Sequence, residues 1–175
     1  MKKLFWLLPL LFFAGLLALM GGNLGKPTEA VIVSHMIGKP VPAFAFEGTA
    51  GAEGLSRADL SAGGPPVLVN VFASWCLPCA VEAKQLQALA DKGATLHGIA
   101  VRDTADNVAR FLGKHGNPFS RIGLDTQGRM MLALGASGVP ETYVIDGKGI
   151  IRFQHLGEIR AEHVPILLAQ LEKAK

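Results

Sequence analysis

The stretch Val67-Leu68-Val69-Asn70-Val71-Phe72-Ala73-Ser74-Trp75-Cys76-Leu77-Pro78-Cys79 decides the fold of this chain. Its first six residues form an apolar, β-branched run after Pro65-Pro66, which predicts a buried strand over 67–72. Residues Cys76 to about Asp91 follow with helical spacing and stop at Lys92-Gly93. The strand-to-helix junction therefore falls on Cys76. A sulfur at a helix N-terminus meets unpaired N–H groups and the positive end of the helix dipole, which favour a thiolate. Cys76 and Cys79 are the only two cysteines in the chain, so each has the other as its one possible intramolecular partner. A bridge across so short a loop removes little chain entropy. The pair reads as a thiol–disulfide exchange device rather than a staple.

Outward from this junction the pattern alternates. Strands are predicted at 95–101 and 121–124, helices at 104–114 and 129–134. A strand at 142–145, the turn Asp146-Gly147-Lys148-Gly149 and a return strand at 150–155 form a hairpin. A last helix covers 161–174, with Pro165 tolerated only near its first turn. Upstream, Ala43–Phe46 alternates as a short strand. Gly48–Gly54 is turn-rich, and Ser56–Leu60 reads as one capped helical turn. The expected fold class is α/β, a mixed sheet with helices on both faces.

The N-terminus has a different composition. Leu4–Met20 carries no charge, Lys2 and Lys3 precede it, and extension to Leu24 gives an apolar stretch long enough for a bilayer core. The basic flank orients the N-terminus inward and the remainder outward. Ala18-Leu19-Met20-Gly21-Gly22-Asn23 offers no Ala-x-Ala cleavage site, so an uncleaved anchor over 1–24 is favoured over a signal peptide. A linker over 25–36 then leads to one domain over 37–175. The net charge of +3 is largely a front-end effect of Lys2, Lys3 and Lys26, and no basic run or aromatic interleaving suggests nucleic acid binding.

Val69–Cys79, together with Gly138-Val139-Pro140 before a strand, resembles the thioredoxin superfamily over about 37–175. Within it, Gly135-Ala-Ser-Gly-Val-Pro-Glu-Thr-Tyr-Val-Ile-Asp-Gly-Lys-Gly-Ile-Ile-Arg152 is similar to the membrane-anchored DsbE/CcmG family of bacterial cytochrome c maturation. Asn70–Cys76, Glu82 and His115–Phe119 agree with that family too. The resemblance implies a thioredoxin-like fold and a redox disulfide Cys76–Cys79, with Cys76 the nucleophile and Cys79 the resolving thiol. It implies a cis Pro140 facing the disulfide, with Val139 and Trp75 on the substrate side. Asn70 stands where thioredoxin has a buried proton-shuttling Asp, so proton handling falls to Glu82 and Glu141, which the family places near the thiols.

The implied activity is reduction of apocytochrome c or of cytochrome-maturation thiol proteins at the periplasmic face of the inner membrane. A membrane electron donor of the DsbD/CcdA type would re-reduce the dithiol, and no cofactor or metal is called for. Leu77-Pro78 supplies no cation to stabilise a thiolate further, so a reducing rather than strongly oxidising pair is expected. Three other readings stay open: a broader exported reductase, a peroxidase and a copper carrier. The peroxidase pattern lacks its Pro-x-x-x-Thr/Ser-x-x-Cys setting, and the copper reading wants Cys-x-x-x-Cys with a His. A zinc half-site has only two sulfurs, and the five histidines, without ligand spacing, read as surface or loop residues.

Overall fold

The computed structural model of the chain describes residues 9, 12–18 and 35–175. The chain divides into two units, Met1–Val33 and Ser34–Lys175. Residues 12–18 are helical, and no described helix is long and apolar enough to cross a membrane. Most of the anchor expected over 1–24, and of the linker over 25–36, lies outside the described residues. The packing of the second unit reaches back to Met36, which is buried. Gly38 and Val41 donate their amides to Ile151 and Gly149, so the segment runs beside the closing hairpin.

The unit is built around a five-stranded sheet of β3 (Val67–Phe72), β4 (Leu96–Val101), β5 (Arg121–Asp125), β6 (Glu141–Ile145) and β7 (Ile151–Leu156), in the order β5-β4-β3-β6-β7. β3 runs parallel to β4, and β4 to β5, while β6 is antiparallel to both β3 and β7. β3 is the middle strand, which explains its nearly uninterrupted apolar run: both of its faces are covered. A small antiparallel pair, β1 (Ala45–Phe46) and β2 (Leu55–Ser56), precedes it. Gly48 and Gly54 are required there. A Cβ on Gly48 would lie 2.3 Å from the Ala52 carbonyl oxygen, and one on Gly54 2.3 Å from that of Phe46.

Side-chain alternation along the strands sorts the core into two layers. Leu68 and Phe72 of β3, Leu96 and Ala100 of β4 and Val144 of β6 point to one face. They meet α2 (Leu77–Asp91), α3 (Ala105–His115) and α5 (His163–Lys173) through Leu86 and Leu89, Val108 and Leu112, and Val164, Leu167 and Leu171. Val69, Val71, Ile99, Val101, Tyr143 and Ile145 point to the other face. There they meet Leu60 of α1 (Arg57–Leu60), Met130 and Leu134 of α4 (Arg129–Leu134), and Leu55 of β2. The predicted elements agree with these to within a residue or two at their ends. Ser56 and Asp59 close the turn of α1, since the Ser56 N–H and hydroxyl both donate to Asp59 Oδ2. Pro165 sits in the first turn of α5, where a missing N–H costs nothing. One expectation is corrected: His97 is neither a surface nor a loop residue but a buried position in β4. Burial holds its imidazole below the ordinary histidine range, because the apolar strand environment disfavours the charged ring.

Gly98 carries part of the packing beneath α2. A Cβ there would fall 2.9 Å from Phe72 Cε1 and 3.2 Å from the Phe119 ring, and the two rings are stacked at 5.1 Å. Gly98→Val should therefore destabilise the oxidised protein by about 2 kcal/mol through overpacking. Urea denaturation measures this, and an unchanged midpoint would show that the aromatic pair yields freely.

Candidate active site

The site is assembled where β3 ends and α2 begins. Cys76 is the N-cap of α2, with extended φ/ψ, and its Sγ accepts the Cys79 N–H at 3.1 Å. The two sulfurs are joined in a disulfide. Both residues are buried, Cys76 at 5% exposure and Cys79 at 2%. Pro78 occupies the second helical position and removes one of the N–H donors that a helix N-terminus normally presents.

Val139 and Pro140 approach from the β6 side. Their peptide bond is cis, as expected, and the Val139 carbonyl oxygen lies 3.6 Å from Cys76 Sγ. Among the described residues nothing accepts the Val139 N–H. Pro140 is buried, and its own carbonyl accepts the Gly157 N–H at 3.0 Å. Trp75 stands 60% exposed beside Cys76, its indole N–H donating to the Arg102 carbonyl at 3.2 Å. The exposed Leu77 and Val81, one turn apart on α2, extend this apolar rim.

The two candidate carboxylates go to different places. Glu82 is wholly buried on the face of α2 that packs on the sheet. Its Oε1 accepts from Asn70 Nδ2 at 2.9 Å and its Oε2 from the Ile159 N–H at 2.9 Å. Asn70 Nδ2 also donates to Thr142 Oγ1 at 3.0 Å. Asn70, Cys79 and Glu82 line one small cavity of about 10 Å³, roughly the room that one water occupies. Burial pushes the Glu82 carboxyl up to about 7, the two N–H donors pull it back only in part, and Glu158 adds a smaller upward push. A carboxyl raised toward neutrality by burial, lining the same cavity as Cys79, has the chemistry of a general base.

Glu141 lies on the opposite face of the sheet, alternating with Thr142 along β6. Its Oε1 accepts the Ser137 N–H and hydroxyl and the Gly138 N–H, at 2.8, 2.9 and 3.4 Å. Its Oε2 accepts the Tyr143 hydroxyl at 2.6 Å and Gln154 Nε2 at 2.7 Å. Burial and the adjacent Glu141 charge push the Tyr143 phenol upward, so it stays a donor to the carboxylate. Glu141 thus grips the loop that carries Val139 and Pro140, and any influence on the thiols runs through that loop. Of the residues expected together, Cys76, Cys79, Trp75, Val139, Pro140 and Glu82 converge, while Glu141 stands behind them.

Two partners escaped the sequence reading. Asn70 reads there only as the loss of an aspartate, yet its amide is one of the two donors to Glu82. The Ile159 N–H, 77 residues from Glu82, leaves no trace in any local pattern.

Residues 36–171 match the Redoxin family. A thiol:disulfide interchange protein DsbE of Escherichia coli K12 is 36% identical over 163 residues, covering 91% of this chain and 88% of that protein. DsbE of Pseudomonas fluorescens biotype C is 40% identical over 160 residues, with the same coverage of each chain. Among solved structures, a DsbF homologue from Corynebacterium diphtheriae superimposes with a TM-score of 0.66 at 27% identity, covering 85% of this chain and 96% of that one. A thioredoxin-family thiol:disulfide interchange protein from Chlorobium tepidum gives a TM-score of 0.60 at 25% identity, covering 77% and 94%. The chain belongs to the Redoxin family and is a DsbE-like thiol:disulfide oxidoreductase with a thioredoxin-like fold.

The Glu82 shift has a sign that stability measurements can read. A carboxyl raised from 4.5 to about 7 binds more protons in the folded state. Its contribution is favourable below the unfolded value and is lost as pH rises toward 7. The oxidised protein should lose about 3 kcal/mol from this group between pH 4.5 and 8. Glu82→Gln should abolish that slope, so the difference between variant and wild type in denaturation midpoint should vary across this window. A difference independent of pH would show that Glu82 titrates normally.

Proposed function

We propose that this member of the DsbE-like oxidoreductases is a membrane-anchored reductant of cytochrome c maturation. It would reduce the haem-binding cysteines of apocytochrome c, or the thiol proteins that serve it, on the periplasmic side of the bacterial inner membrane. The observation that carries the reading is the juxtaposition of Cys76 Sγ with the Val139 carbonyl at the cis Pro140, with Glu82 buried behind the pair. Likeness to the DsbE proteins over about nine-tenths of the chain supports it, as does the apolar run of Leu4–Leu24 behind Lys2 and Lys3.

The chemistry follows from the geometry. In the reduced protein the Cys76 thiolate attacks one sulfur of the substrate disulfide. A new S–S bond forms to Cys76, and the second substrate sulfur leaves as a thiolate and takes a proton. The unbonded Val139 N–H and its carbonyl offer one edge on which an extended substrate segment can add as a strand. Cys79 then yields its proton to Glu82, directly or across the small shared cavity, and its thiolate attacks Cys76 Sγ. The substrate leaves with both sulfurs reduced, and Cys76–Cys79 is left as the disulfide.

Two electrons have moved, and an oxidising compartment cannot return them. A membrane thiol carrier of the DsbD/CcdA type is the class of donor required. A reducing poise is consistent with the surroundings of Cys76: its sulfur accepts one N–H, faces a carbonyl oxygen, and has no cation between the cysteines. The thiolate is therefore stabilised less than in a strong oxidant.

Replacing Cys79 with Ala removes the resolving step and should leave mixed disulfides on Cys76 in intact cells. The expected captured partners carry Cys-x-x-Cys-His haem-attachment segments or belong to the maturation machinery. A broad set of unrelated envelope proteins would instead assign the chain as a general exported reductase.

A further inference from the structure

The loop after β4 does work that the exchange chemistry does not account for. Arg102 has a φ of +50°, a left-handed conformation that a residue with a side chain seldom adopts. Its amide donates to the Asp125 carbonyl at 2.8 Å, and its side chain lies over Gly128, where a Cβ would come within 2.7 Å of Nε. Held this way, Arg102 presents its carbonyl to the Trp75 indole. The next residue, Asp103, is buried at 6% exposure. Its Oδ2 accepts the Ser74 N–H at 2.6 Å, and its Oδ1 accepts the Ser74 hydroxyl at 2.9 Å and the Thr104 N–H at 2.8 Å. One carboxylate thus ties the end of β4 to both hydrogen-bond donors of the residue two before Cys76. Its neighbour ties down the residue one before it.

We infer that Asp103 is a positioning residue, fixing Ser74 and Trp75 so that a peptide disulfide can lie across Cys76. A capping role for α3 explains only the Thr104 contact. Two of the three donors come from the loop between β3 and α2, 29 residues away. Hydrogen bonds to an ionised group are the strong class, so removing this one leaves the Ser74–Trp75 segment held by the Cys76 N–H on the Ala73 carbonyl, at 3.2 Å, and by the Trp75 indole on the Arg102 carbonyl. The effect should depend on the size of the substrate. A small disulfide needs only the sulfur, whereas a peptide must also rest on the Trp75, Leu77 and Val139 rim. The inference rests on the dithiol activity and on no particular partner.

The test uses the full chain with Trp6→Phe, which leaves Trp75 as the one tryptophan. Rates of the reduced protein are measured with a disulfide-bridged peptide and with 2-hydroxyethyl disulfide. Asp103→Ala should slow the peptide reaction about tenfold and the small-disulfide reaction less than about threefold. The change in Trp75 emission between oxidised and reduced protein should collapse. Asp103→Asn, which keeps one acceptor oxygen, should recover part of each. Should Asp103→Ala fail to fold, Ser74→Ala deletes only the hydroxyl bond and should move all three readouts in the same direction, the peptide rate by about threefold. Equal losses with both disulfides, or an intact Trp75 emission change, would overturn the inference. Failure of the proposed maturation role would leave these ratios untouched.

Discussion

The site is organised around a carboxylate buried in the core of the domain, where an unpaired one would be costly. Glu82 projects from α2 into the core with no solvent exposure, and two hydrogen bonds hold it there. One comes from Asn70 in the middle strand, the other from the backbone of the turn between β7 and α5. A buried ionised carboxyl without such donors would cost several kcal/mol. With them the cost is partly offset, and the balance leaves the group titrating about 7 instead of being permanently charged or permanently neutral.

That interaction also fixes the geometry around the disulfide. The turn that supplies Ile159 to Glu82 supplies Gly157 to the Pro140 carbonyl. The helix bearing both cysteines and the loop bearing Val139-Pro140 are therefore bound to the same short segment. On the other face of the sheet, Glu141 receives five donors and holds Ser137 and Gly138 on the approach to Pro140. The two carboxylates sit on opposite faces of the sheet: Glu82 is buried behind the disulfide, and Glu141 holds the loop that leads to Val139 and Pro140. This division follows from strand alternation, since Thr142 faces Asn70 while Glu141 and Tyr143 face away.

The fold was legible in the sequence because its period changes at the right places. Val67–Phe72 reads as a doubly covered strand, Cys76–Asp91 as a helix, and Asp146–Gly149 as a hairpin turn, and each lies where its pattern puts it. The cysteines were legible because short spacing defines them, and the cis proline because Gly138-Val139-Pro140 carries the resemblance to the thioredoxin superfamily. Glu82 was legible as a candidate from its place on the helix, but its burial was not. A helix pattern shows that Glu82 is six residues from Cys76, and only the packed sheet shows that this direction points inward. The contacts of Asn70, Ile159 and Asp103 could not be read at all. Each joins residues brought together by the crossovers, where neither spacing nor periodicity carries information. His97 misled for a related reason: a single polar residue in an otherwise apolar strand looks like an exposed position until both faces are covered.

The account stands on Glu82 being the proton acceptor of the resolving thiol. Carbon-13 NMR of the Glu82 carboxyl, followed through a pH titration in the oxidised and in the reduced protein, tests it most directly. The account predicts a midpoint near 7 in the disulfide form, and a displaced or biphasic titration on reduction as Cys79 becomes ionisable beside it. A Glu82 carboxyl that titrates at an ordinary carboxylate value, with the same curve in both redox states, would contradict it.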